Sequence, residues 1–123
     1  MRAYAPATIV ALVLVFTVAA FGAVPQKGAT LIGVIKSSPF AMGINITVSP
    51  KGALAHFTYL CGTGRPPTSV YNLPVDSTGH FAYTSKLKDW KMAGHFVTPT
   101  TAFVSLNSIA CGGSKGSTTL KLK

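Results

Sequence analysis

Three histidines, His56, His80 and His95, are the side chains of this sequence best suited to chemistry. Each stands immediately before a phenylalanine: AHF at 55–57, GHF at 79–81 and GHF at 94–96. An imidazole can ligate a metal or move a proton near neutral pH. A structural zinc usually has four ligands with cysteine support, and neither CxxC nor Cys/His zinc spacing occurs. The repeat is better read as position: successive side chains of a strand face opposite sides, so histidine marks the outward beat and phenylalanine the core beat. On that reading no metal ligand, cofactor-binding residue or catalytic residue is assigned.

The remaining candidates are few. The only carboxylate side chains are Asp76 and Asp89; both fall in expected turns, whereas paired carboxylates for glycoside hydrolysis must flank one bond. No GxSxG nucleophile elbow occurs. CGTGRPPTS at 61–69 contains GxG but lacks the Gly-Lys-Ser/Thr ending, and Pro66-Pro67 bars the helix that would hold a phosphate. It reads as a rigid loop, with a ligand-facing loop as the alternative, Arg65 being its one bidentate donor. Asn45-Ile46-Thr47 is a sequon that makes Asn45 a candidate glycosylation acceptor. Aromatic and basic residues interleave at 81–96, as in nucleic-acid stacking surfaces. The core claims those rings, so no specific nucleic-acid partner is expected.

These residues need a sheet to position them. Short β-branched and aromatic stretches, cut by Gly, Pro, Asn and Ser every 8–12 residues or so, have the rhythm of a β-sandwich or barrel. Strands are expected at 29–36, 41–49, 53–61, 68–75, 80–87, 90–98, 102–110 and 117–123, separated by SPKG, DSTG, TPTT and CGGSKG. Ile44, Ile46 and Val48 share one face. Ala55, Phe57, Tyr59 and Cys61 share another, and Leu120 and Leu122 alternate with lysines as a half-buried final strand. Pro74 marks an edge or a strand end. In the hairpin at 80–96, pairing residues whose numbers sum to 177 gathers the large apolar groups. That register sets Leu87 opposite Trp90 and Phe81 opposite Phe96. It leaves His80 and His95 outward as diagonal neighbours, roughly 7–8 Å apart. The Lys88-Asp89 turn is its weak point, not being of the preferred Asn-Gly type.

Residues 1–22 read as a signal peptide: Arg2, an apolar run from Ala7 to about Ala20, then small residues. Cleavage falls before Phe21 or before Ala23. An uncleaved anchor is the competing reading, for which the run is short. Residues 23–123 then form one all-β domain with ten basic residues against two acids, a net +8. Such a charge attracts anionic polymers or membrane surfaces, although the lysines are scattered singly and solubility explains them as well. Cys61 and Cys111 read as one disulfide in an exported chain, contributing on the order of 4 kcal/mol.

The stretch GHFAYTSKLKDWKMAGHFVTPTTAFVSLNSIACGG resembles a loosely defined group of exported bacterial β-domains without assigned function. Gly79-His80-Phe81, Gly94-His95-Phe96, the corner from Thr98 to Ala102, Cys111-Gly112 and the earlier Cys61-Gly62 carry the likeness. It implies a compact all-β fold and no particular activity. The functional expectation is a secreted or envelope-associated, non-catalytic binding module without cofactor. A small secreted hydrolase, or a basic protein acting on anionic membranes or envelope polymers, are the rivals.

Overall fold

The computed structural model describes residues 22–123. The expected signal peptide lies outside these residues, save for Gly22.

The period-two alternation builds eight antiparallel strands: β1 (Thr30–Ile35), β2 (Met42–Val48), β3 (Leu54–Cys61), β4 (Thr68–Pro74), β5 (His80–Thr84), β6 (Trp90–Thr98), β7 (Thr101–Ser108) and β8 (Ser114–Leu122). They form one sheet in the order β4-β3-β2-β1-β8-β7-β6-β5. The sheet curls until its edge strands, β4 and β5, approach each other without pairing, giving a barrel-like body rather than a two-sheet sandwich. Pro74, which donates no backbone hydrogen bond, is the last residue of an edge strand, as expected.

The inward beat fills the interior. Ile44, Ile46 and Val48 of β2 and Ala55, Phe57, Tyr59 and Cys61 of β3 are buried together with Trp90, Met92 and Phe96 of β6. Trp90 lies between Phe57, at 6.0 Å between ring centroids, and Tyr59, at 5.0 Å. Each large ring removed from water contributes about 1.5–3 kcal/mol. The polar atoms among them are paired: the Tyr59 hydroxyl and Ser108 Oγ are 3.0 Å apart, and Ser108 Oγ accepts the Cys111 amide. Cys111 is thereby set for its disulfide with Cys61, which joins β3 to the β7–β8 turn.

Two apolar residues depart from expectation. Leu87 is 85% exposed and belongs to a turn, not to β5. Leu122 is 51% exposed, whereas Leu120 is fully buried; the final strand outruns the core at its end.

The hairpin register also differs. Observed pairs sum to 175, not 177: His80 faces His95, Phe81 faces Gly94 and Tyr83 faces Met92. A two-residue shift keeps every side chain on its face, so hydrophobic alternation does not distinguish the two registers. Two local features do. A Cβ at Gly94 would meet Phe81 Cζ at 2.7 Å, so the bare glycine makes room for that ring. At the turn, Ser85 Oγ donates to Asp89 Oδ1 and accepts the amides of Asp89 and Trp90, while Lys88 takes positive φ. This bonded loop replaces the tight turn that the other register requires. Phe81 and Phe96 still touch edge to face, at 5.7 Å, but diagonally.

Candidate functional site

The same alternation that buries the rings presents the other beat of β5–β8 to solvent, and the ladder aligns that beat in three rows. His80, His95, Phe103 and Thr119 form the first. Ala82, Ala93, Ser105 and Ser117 form the second, and Thr84, Lys91, Asn107 and Lys115 the third. The middle row carries only small side chains between two rows of larger ones, so the outer face is grooved across the strands. Two open hollows share its floor of Ala82, Ala93 and Ser105. One of roughly 600 Å³ is bordered by the histidines and Phe103. The other, of roughly 740 Å³, is bordered by Lys91, Asn107 and Lys115.

One wall is built by the β4–β5 turn. Asp76 Oδ1 accepts the amides of Thr78 and His80 and the Thr78 hydroxyl. These bonds hold the Asp76 carboxyl below its ordinary pKa: the His80 amide contributes most, then the Thr78 hydroxyl. The Thr78 oxygen is also 2.9 Å from His80 Nδ1. A threonine hydroxyl has one proton, and here it is committed to Asp76. With that proton committed, the Thr78 oxygen accepts from His80 Nδ1–H, and in the neutral ring Nε2 is then the acceptor. His80 and His95 stack with centroids 5.3 Å apart and planes at 24°. Phe103, 38% exposed, lies beyond His95 at 6.0 Å.

The expectation that His80 and His95 are separated diagonal neighbours is thus corrected: the 175 register makes them direct partners. Both remain outward, with His95 half-buried. His56 stands apart, stacked on Tyr71 at 4.3 Å with its Nε2 3.3 Å from Thr58 Oγ1. Among the described residues no three His, Cys, Asp or Glu side chains gather around a point. Arg65 donates to the Ala110 carbonyl at 2.8 Å, bracing the 61–67 loop against the residue beside Cys111. Asn45 lies at the centre of β2, half-buried, between Ile32 and Thr58 on the neighbouring strands.

Lys91, Lys115, Phe103 and the small floor residues carry no signal in the linear sequence, because they lie on four strands. Only the pairing collects them. Comparison with protein-family models, curated proteins and solved structures finds no match to this chain.

Proposed function

We propose that the chain is exported and serves as a non-catalytic module that binds an anionic polymer of the envelope or extracellular space along its outer groove. A single observation supports this reading most: two lysines and two imidazoles line a trough floored by alanine and serine, with an exposed aromatic ring in one wall. An extended polymer needs a track free of bulky side chains, and the Ala82-Ala93-Ser105 floor offers one. Phe103 presents an apolar face for the carbon skeleton of a sugar unit. Exposed charge pairs contribute only about 0.2–1 kcal/mol each, so affinity would come from several units held at once. The disulfide accords with an oxidising compartment, as does the apolar run at 7–20.

Hydrogen-bond direction weighs against Thr78 and His80 as a nucleophile–base pair for the hydrolase alternative. A general base takes a proton from its hydroxyl partner, whereas the Thr78 proton is directed at Asp76 and His80 donates to Thr78. The test is retention on immobilised heparin as a sulfated model polymer. The double variant Lys91→Gln/Lys115→Gln should elute at clearly lower salt than Lys27→Gln/Lys51→Gln. The latter removes equal charge at the β2–β3 turn, where Lys27 packs on Gly52. Equal elution of the two would reduce the binding to bulk charge and end the groove reading.

A further inference from the structure

We propose that His80 and His95 form a two-imidazole site for a divalent transition-metal ion such as Zn²⁺, opening onto the groove. The argument starts from the ladder. Ser85 N bonds Trp90 O and Phe96 N bonds Gly79 O. Odd residues of β5 therefore occupy the hydrogen-bonded pairs, and His80–His95 is an intervening, non-hydrogen-bonded pair. In such pairs the α-carbons approach to about 4.5 Å and the side chains are at their closest. Two imidazoles rooted there can reach a common ion from one side of the sheet.

The second support is orientation. Metal-bound histidines usually donate their other ring N–H to an acceptor that fixes the tautomer. His80 already does so: Nδ1–H points to Thr78 Oγ1, which is itself anchored on Asp76. Nε2 is left with its lone pair free of that network. His95 has no side-chain hydrogen bond among the described residues, so its ring can turn. With zinc–nitrogen bonds of about 2.0–2.1 Å in tetrahedral geometry, the two nitrogens must lie about 3.4 Å apart. The rings stand stacked, with centroids at 5.3 Å and planes at 24°, so binding requires His95 to rotate about its side-chain bonds until its lone pair converges with that of His80 Nε2. Neutral imidazole suits zinc, nickel and copper. Two protein ligands leave the other positions to water or to oxygen atoms of a bound molecule. The third histidine, stacked on Tyr71, takes no part.

Calorimetric titration of the purified chain with zinc chloride near neutral pH tests this. One equivalent should bind, and His80→Gln and His95→Gln should each weaken binding at least tenfold. His56→Gln should leave it unchanged, serving as the control for histidine content. Thr78→Val keeps both ligands but removes the orienting acceptor, and should weaken binding about tenfold or more. Circular dichroism of each variant establishes that the sheet persists. Unchanged affinity in either groove-histidine variant, or equal losses in all three histidine variants, would overturn the site. Because the probe is the metal alone, failure here leaves the heparin result standing, and the reverse also holds.

Discussion

Replacing Gly94 by alanine tests the register on which the groove depends. The added Cβ would lie 2.5 Å from the Phe103 carbonyl oxygen and 2.7 and 2.8 Å from two carbons of the Phe81 ring. The carbonyl is part of the β6–β7 ladder, and Phe81 is 4% exposed and packed against Phe96, so neither yields freely. Overpacking of this kind costs about 1–3 kcal/mol. For a domain of this size each kcal/mol shifts Tm by about 4–8 °C, so the loss should fall between about 4 and 24 °C. Glycine to alanine in a strand is otherwise favourable by about 0.5–1 kcal/mol. Gly43→Ala, where no atom lies within 4 Å of the new Cβ, should therefore be neutral or slightly stabilising. Urea denaturation of both variants gives the comparison. Adding Phe81→Leu to Gly94→Ala frees part of the crowded space, so the pair should be less destabilised than the sum of the singles. Adding Tyr83→Leu should bring no such relief, because Tyr83 faces Met92. A Gly94→Ala protein as stable as Gly43→Ala, or relief by Tyr83→Leu instead, would refute the 175 register.

Removing the disulfide as Cys61→Ser/Cys111→Ser opens a loop with a sequence separation of 50 residues. It should lower stability by about 4 kcal/mol in the chain-entropy treatment, read from the same urea curves; a loss below about 1 kcal/mol would contradict that account. Asp76 carries the pH response of the β4–β5 turn. Its pKa is lowered from 3.8 by the His80 amide first and the Thr78 hydroxyl next, so folding favours the ionised form. The resulting stabilisation is complete above the unfolded value near 3.8 and is lost as pH falls through the lower folded value. The amide resonances of Thr78 and His80 should shift below about pH 4 in the parent and not in Asp76→Asn; identical titrations would remove Asp76 from that role.

Much of the fold was legible because burial leaves a period-two trace. β2 and β3 declared themselves through Ile44-Ile46-Val48 and Phe57-Tyr59, and Pro74 marked an edge strand. What remained hidden had a common cause: information in a strand is local, whereas register is relational. Leu87 looked like a core residue because it continued the alternation of Phe81 and Tyr83. Ser85, by gathering Asp89 and Trp90, ends the strand before Leu87 is reached. The candidate site was less legible still. The histidines were visible, but their companions Lys91, Phe103 and Lys115 come together only through ladder pairs across β6, β7 and β8.

The incomplete closure of the barrel bears directly on where a ligand can sit. An unpaired edge invites another strand, yet both edges here are poor templates. β5 has five residues, and β4 carries Asn72 at φ 56° and ends in Pro74. The Asp76 turn ties β4 to β5 at one end without zipping them together, so the seam stays open but resists pairing. Pro74 and Asp76 then border the hollow that holds His80, His95 and Phe103. Closing the barrel by pairing β4 to β5 would bring the outward side chains of β4 alongside His80 and crowd that hollow from the side. The turn that joins β4 to β5 is also the turn whose carboxylate and hydroxyl orient the first histidine of the groove.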